Sequence, residues 1–206
     1  MYPVVETFYS LQGEGAYSGT AAFFIRLAGC PVKCVYCDEA RSWNMGEYPL
    51  KSSEELAAAA IAATAAKNTE VKTAIAIVTG GEPVIHNLAP LTAALQKCNI
   101  RTHLETSGTN PLTGEWDYIA FSPKRTMPPV DEYYKKSNEI KIVIETEDDF
   151  DFAEQQRILA GQYCTKLYLQ PEWNNRVAVT SVIIDYIKRN PQWKLSLQIH
   201  KYLDIR

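Results

Sequence analysis

The sequence predicts an α/β fold: a mostly parallel sheet wound as a modified, incomplete (β/α) TIM-like barrel. Three observations predict it. Short apolar runs alternate with longer stretches of helical periodicity, the order that produces a parallel sheet with right-handed crossovers. Several of the apolar runs are hydrophobic at successive positions, as strands covered on both faces are. The chain has 206 residues, whereas a closed eight-fold barrel typically takes about 250.

The strands are expected, in order, at Ala22–Leu27, Ala74–Val78, Thr102–Glu105, Tyr118–Phe121, Ile140–Ile144, Leu167–Leu169 and Leu195–Ile199, all rich in Ile, Val, Leu, Phe and Tyr. Four helices are expected between them. Ser52-Ser53-Glu54-Glu55 carries a capping-box pattern ahead of the Ala-rich run Leu56–Ala66, because a Ser and a Glu three positions on can each satisfy the other's free amide. Asn87 can cap Leu88–Cys98, where Pro90 is tolerated in the first turn. Glu147–Leu159 and Val177–Arg189 have helical periodicity, and Pro191 closes the second. Ser107–Trp116, rich in Gly, Asn and Pro, reads as a loop.

Composition narrows the class. The chain is 46% hydrophobic and 22% charged, which supplies an ordinary core. No apolar run is long enough to span a bilayer, and no basic-then-apolar leader opens the sequence, so no membrane association is expected and the cytoplasm is the simplest location. Net charge is −3, without a basic stripe, which argues against a nucleic-acid partner. Five cysteines, three of them within Cys30–Cys37, do not make a disulfide framework. Cys98 and Cys164 stand alone and read as small buried hydrophobes.

The unusual segments share one position in the fold. The cysteines follow the first expected strand, Thr79-Gly80-Gly81-Glu82-Pro83 the second, Thr106-Ser107-Gly108-Thr109 the third and Ser122-Pro123-Lys124 the fourth. Gln170-Pro171-Glu172-Trp173 follows the sixth and His200-Lys201 the last. In parallel β/α folds the site lies at the carboxyl ends of the strands, so these segments are expected to converge on one rim.

Cys30-Pro31-Val32-Lys33-Cys34-Val35-Tyr36-Cys37 is a C-x3-C-x2-C loop. A cubane iron–sulfur cluster takes one thiolate per iron, so three thiolates hold three corners and leave one iron open to a ligand. A structural zinc ion wants four ligands, usually as paired C-x2-C units, and only Cys34 with Cys37 forms such a unit. A thioredoxin-like pair leaves Cys30 idle. Spacing thus ranks iron–sulfur first, zinc second and dithiol redox third.

This loop, with an aromatic residue before its last cysteine and Gly80-Gly81-Glu82-Pro83 after a strand, resembles the radical S-adenosylmethionine superfamily. Leu11-Gln12-Gly13-Glu14-Gly15, Phe24-Ile25-Arg26-Leu27-Ala28-Gly29-Cys30, Cys37-Asp38, Glu105-Thr106-Ser107-Gly108, Ser122-Pro123-Lys124, Gln170-Pro171 and Gln198-Ile199-His200-Lys201 resemble, almost end to end, the 7-carboxy-7-deazaguanine synthase family. The resemblance implies a radical carbon–nitrogen lyase that converts 6-carboxy-5,6,7,8-tetrahydropterin to 7-carboxy-7-deazaguanine with loss of ammonia, toward queuosine and related 7-deazapurines. It implies hydrogen abstraction at C6 by a 5′-deoxyadenosyl radical, ring contraction and return of the hydrogen. It also implies a [4Fe–4S] cluster, S-adenosylmethionine, Mg²⁺, an electron donor such as flavodoxin or ferredoxin, and a homodimer. Residues 1–206 are then one core domain with substrate-binding segments at its N- and C-terminal ends.

Residue by residue, the resemblance puts Cys30, Cys34 and Cys37 on the cluster. It puts Tyr36, Asp38, Gly80, Gly81, Glu82, Ser107, Ser122, Pro123, Lys124 and Gln170 around the cofactor. Leu11, Gln12, Gly13, Glu14, Arg26, Thr79 and His200 fall to the substrate. The chemistry agrees: Gln12 and Glu14 suit the flat amide–amine edge of a pterin, and Arg26 can fork a carboxylate. Standing alone, Gln12–Gly15 reads as a surface turn and Arg26 as a strand-edge ion-pair partner; the resemblance turns both toward the pocket. One position departs from the family, where a Thr hydroxyl after Cys-Asp binds Mg²⁺; here it is Glu39. That carboxylate is open to four roles: to ligate the ion, to replace it electrostatically, to pair with Arg41 or Lys33, or to stand solvated on the loop. Two other functions share parts of the pattern. An activase that makes a glycyl radical in a partner protein shares the cysteine and glycine motifs, and a non-enzymatic zinc module shares the cysteines.

Overall fold

The computed structural model describes residues 1–64 and 74–206. Among the described residues, nine strands form one sheet. They are β1 (Tyr2–Leu11), β2 (Ala21–Leu27), β3 (Leu50–Lys51), β4 (Ile75–Gly80), β5 (Arg101–Thr106), β6 (Tyr118–Phe121), β7 (Glu139–Ile144), β8 (Leu167–Pro171) and β9 (Trp193–Leu195). Their order is β3-β1-β2-β4-β5-β6-β7-β8-β9. From β2 to β9 every pair is parallel, while β1 runs antiparallel to β2 and β3. This is the expected open, mostly parallel barrel, with an antiparallel edge that the sequence did not announce.

Six α-helices among the described residues cover it: α1 (Ser53–Thr64), α2 (Ala89–Lys97), α3 (Glu132–Lys136), α4 (Asp149–Ala160), α5 (Arg176–Arg189) and α6 (Ile199–Leu203). The capping box ahead of α1 forms in full, Ser52 Oγ accepting from the Glu55 amide at 3.1 Å and the Glu55 carboxylate from the Ser52 amide at 2.6 Å. Asn87 Oδ1 accepts from the Ala89 amide at the start of α2. The last two residues of the expected helix Leu56–Ala66 lie outside the described residues.

Two expectations at the C-terminus are corrected. The run Leu195–Ile199 is not a strand: β9 ends at Leu195. The Ser196 amide still bonds Leu169 O, but the Ile199 amide donates to Gly13 O, so the N-terminal loop, not a neighbouring strand, takes up the backbone. His200 accordingly sits on α6 and not at a strand end.

Period-2 alternation divides the strands between two cores. One face packs under the helices, with Ile25, Leu27, Val78, Leu104, Phe121, Ile140, Ile142 and Leu169 among its buried side chains. The other turns into the barrel, where Ala22, Phe24, Ile75 and Ile77 form a smaller core with Phe8 and Tyr17 against it. Above that inner core the inward positions become polar: Arg26, Thr79, Glu105, Ser122, Lys141 and Gln170 all line one cavity.

Candidate active site

The cavity has a volume of about 560 Å³, within the range of small-molecule sites. It is lined by every site residue expected from the sequence except Pro123. The rim expected from the strand order is therefore real: the N-terminal loop, the cysteine loop, the ends of β4 to β8 and the C-terminal segment all meet there.

The cysteine loop leaves the end of β2 and returns beside it, the Gly29 amide bonding Ser42 O at 2.7 Å and the Cys30 amide Trp43 O at 3.2 Å. Cys37 N bonds Cys34 O, closing a turn. Lys33 adopts a left-handed φ of 48°, a conformation that costs a non-glycine residue energy and clusters at functional sites. All three thiols are unpaired and partly exposed to the cavity. Burial pushes the Cys34 thiol up, Lys124 opposes this, and neighbouring Cys37 and Cys30 add to it. Among the described residues no three His, Cys, Asp or Glu side chains converge as ligands of a single ion. Thiols spread around a shared hollow suit a cubane, whose irons take one thiolate each.

The glycine motif lines the cavity and also packs against the cysteine loop. A Cβ on Gly81 would lie 2.3 Å from Gly29 O, and one on Gly80, whose φ is 122°, would lie 2.3 Å from Leu27 O. The glycines let β4 press against the backbone leading into Cys30, with Gly81 N donating to Leu27 O and Glu82 N to Gly29 O. Glu82 is buried and accepts from Thr106 Oγ1 and from the amide and hydroxyl of Ser107. Burial raises its pKa against those bonds. Lys124 is held below the usual lysine range by burial, with Cys34, Glu82, Asp38 and Cys37 as its nearest opposing charges. It donates to Ser122 Oγ at 2.7 Å and stands 5.9 Å over the Tyr36 ring.

A second group of polar side chains surrounds the N-terminal loop. Glu105 accepts from Gln12 Nε2 and from Thr79 Oγ1, each at 2.7 Å. Glu14 pairs with Lys141 and accepts from Gln198 Nε2 at 2.8 Å and Gln170 Nε2 at 3.3 Å. Burial lowers Lys141 to about 7, while contact with the Glu14 carboxylate favours its charged form. His200 packs on Gly13 so closely that a Cβ there would meet its Nδ1 at 2.0 Å. Burial, then Lys201, holds its pKa below the ordinary value. The loop itself is fastened to the sheet, Ala16 N donating to Glu139 and Gly15 N to Ser196 Oγ.

Arg26 contacts Glu6 at 3.0 Å and Glu39 at 3.2 Å, both through Nε. Among the described residues neither of its Nη groups makes a hydrogen bond. Glu39 also takes Arg41, and Glu6 takes Arg41 and Arg206. Of the pairing partners expected for Glu39, Arg41 is in contact with it and Lys33 is not, and Arg26 is a further one. Asp38 is opposed by burial, but hydrogen bonds from Lys201 and Gln198 outweigh it and hold the carboxyl below its usual range.

Glu6, Glu105, Lys141 and Gln198 were not among the expected site residues. Glu105 and Lys141 do carry the signal that marked Arg26, a charged side chain inside an apolar strand. Gln198 has no such mark, since its importance comes from a turn that the sequence presents as a strand.

The model of the Radical SAM superfamily matches residues 24–123. The 7-carboxy-7-deazaguanine synthase of Synechocystis sp. is 45% identical over all of this chain and 94% of that protein. That of Flavobacterium psychrophilum is 42% identical over all of this chain and 93% of its own. The crystal structure of QueE from Escherichia coli superposes with a TM-score of 0.80 at 31% identity, covering 95% of this chain and 93% of that one.

Proposed function

The chain belongs to the 7-carboxy-7-deazaguanine synthases of the radical S-adenosylmethionine superfamily, and from that premise we propose how its cavity performs their reaction, the conversion of 6-carboxy-5,6,7,8-tetrahydropterin to 7-carboxy-7-deazaguanine with loss of ammonia. The observation that supports the reading most is a single cavity with two chemically distinct sets of side chains. One contains three thiols, Lys124 and Glu82; the other contains Gln12, Glu14, Glu105, Thr79 and Arg26.

The donor set fits a [4Fe–4S] cluster: three unpaired thiols on one short loop facing a shared hollow. Bound there, the cluster and S-adenosylmethionine supply the radical that abstracts hydrogen. Gly80, Gly81, Glu82, Ser107, Ser122, Lys124 and Gln170 bound the adjoining space and are the residues we assign to the cofactor, with Tyr36 and Asp38 at its rim and Pro123 between Ser122 and Lys124. Glu82 offers a carboxylate fixed by three donors from Thr106 and Ser107, suited to an ammonium group.

On the substrate side, Gln12 and Glu14 present acceptors to an amide–amine edge, with Leu11, Gly13, Thr79 and His200 shaping the space around it. The unused Nη pair of Arg26 is oriented by Glu6 and Glu39 through Nε, as a fork for the substrate carboxylate requires. For Mg²⁺ the chain's own residue, Glu39, is committed to two arginines, so we read guanidinium groups as the charge balance at this end. We further propose a homodimer, an electron donor of the flavodoxin or ferredoxin kind, and a cytoplasmic setting. No helix among the described residues is long and apolar enough to cross a membrane.

The test is reconstitution with iron and sulfide under anaerobic conditions, followed by dithionite, S-adenosylmethionine and 6-carboxytetrahydropterin. Formation of 7-carboxy-7-deazaguanine is the expected result. Deoxyadenosine without that product would refute the substrate while leaving the radical chemistry standing.

A further inference from the structure

Five side chains of the cavity wall form an unbroken polar chain: Lys141, Glu14, Gln198, Asp38 and Lys201. Lys141 pairs with Glu14. The amide nitrogen of Gln198 donates to Glu14 Oε1 at 2.8 Å and to Asp38 Oδ2 at 2.9 Å. Lys201 closes the far end on the same Asp38 oxygen. The order is cation, carboxylate, amide, carboxylate, cation.

The middle member matters most. A primary amide nitrogen carries two N–H donors. Gln198 commits both, one to the loop that carries Gln12 and Glu14, the other to the residue that follows Cys37. Those two loops are far apart in sequence and are linked at this point by one side chain. A ligand whose N–H edge engages Glu14 competes with Gln198 for Glu14 Oε1, because that oxygen already accepts from both Gln198 and Gln170. Whatever Gln198 gives up at Glu14 alters its bond to Asp38, one residue from a cluster ligand.

We propose that Gln198 is a positioning residue that couples occupancy of the substrate end of the cavity to the cysteine loop. This rests on the reading that Glu14 meets the substrate. The role is thermodynamic: substrate and cysteine loop bias each other through one shared donor, and the bias is reciprocal. It requires no movement of the sheet, since Glu14, Asp38 and Gln198 all lie on loops or turns at the open side of the barrel.

Cluster-loaded wild-type protein is first assayed for turnover of 6-carboxytetrahydropterin, which tests the function by itself. The electron paramagnetic resonance spectrum of the reduced cluster with S-adenosylmethionine is then recorded with and without saturating substrate. Substrate is expected to shift the wild-type spectrum. In Gln198→Met, which keeps the length but removes both donors, the shift is expected to vanish while iron content stays near wild type. Deoxyadenosine released per product is expected to rise by about tenfold, within the usual range of coupling between two sites. An undiminished shift in Gln198→Met overturns the proposal, and so does a wild type that turns over with no shift. If Gln198→Met fails to hold iron, Gln198→Asn keeps the amide but is one methylene too short to reach both Glu14 and Asp38. At saturating substrate the same loss is expected there, and a full shift overturns the coupling.

Discussion

Arg26 is held by two carboxylates through one nitrogen, and that detail decides what its replacement does. Lysine keeps the charge but has no second pair of donors. Arg26→Lys is therefore expected to raise KM for the carboxypterin by a factor equivalent to about 1.5–3 kcal/mol, the range for a hydrogen bond to a charged group. An unchanged KM in steady-state kinetics would remove Arg26 from the site. Glu39 carries a sharper prediction. With both oxygens on arginines, it is expected to leave wild-type turnover insensitive to EDTA and to a Mg²⁺ titration, whereas Glu39→Thr restores the hydroxyl that the family resemblance puts on the ion and is expected to become Mg²⁺-dependent. Equal, strong Mg²⁺ activation of both proteins would show that Glu39 does not alter the metal requirement. The cysteines divide by position. Cys30→Ala, Cys34→Ala and Cys37→Ala are each expected to abolish deoxyadenosine formation, and Cys98→Ala and Cys164→Ala to preserve it; the measurement is deoxyadenosine by chromatography. Most of these residues were legible because reactive or charged side chains stood where composition alone would place apolar ones. The partners of Arg26 were not legible, because Glu6 lies on a strand, β1, that the sequence did not reveal.

Among elements, β5 shows how an inward-facing strand position can store a pH dependence. His103 is buried beside Tyr17 and Tyr118, with ring centroids at 4.5 and 5.2 Å, and its Nε2 has no hydrogen-bond partner among the described residues. Burial first, then Arg101, lowers its pKa from 6.5 to about 4. The folded state resists the proton, so the unfolded state binds more protons between those two values. Stability is complete above pH 6.5 and falls as pH drops toward 4, by roughly 3 kcal/mol if His103 acts alone. Urea unfolding across that range is expected to show the slope, and His103→Gln to flatten it; an equal slope in both would assign the loss to other groups. Elements with a strong internal period, β4 to β8 and α1, α2, α4 and α5, were legible from the sequence. Those that depend on what they meet were not. β1 is a strand because it pairs with β2, α3 and α6 have five residues each, and residues 196–199 turn away from the sheet because Gly13 O takes the Ile199 amide.

At the scale of the molecule, the sheet ends at β3 on one side and β9 on the other, and polar contacts from the N-terminal loop cross the gap. Glu139 holds Ala16 N, Lys141 and Gln198 hold Glu14, and Gly13 O holds the Ile199 amide. Ser196 is the most exacting of these fasteners. It is buried, accepts from Gly15 N at 3.0 Å and donates to Gln170 Oε1 at 3.1 Å. One hydroxyl thus joins the N-terminal loop to β8, and alanine in its place leaves an amide and a carbonyl oxygen unpaired in the interior. An unsatisfied buried group costs about 1–3 kcal/mol. That cost falls on the closed arrangement of the loop, because the two cores beneath the sheet do not involve Ser196. Ser196→Ala is therefore expected to leave the global unfolding of the sheet nearly unchanged but to speed amide exchange at Gly15 and Ala16 by about tenfold or more, as local opening does. Substrate affinity is expected to fall with it, since Gln12 and Glu14 ride on the same loop. If Gly15 and Ala16 exchange at the wild-type rate in Ser196→Ala, the loop is held by its other contacts, with Glu139, Lys141, Gln198 and the Ile199 amide. In that case the Ser196 link to β8 is incidental to closing the gap.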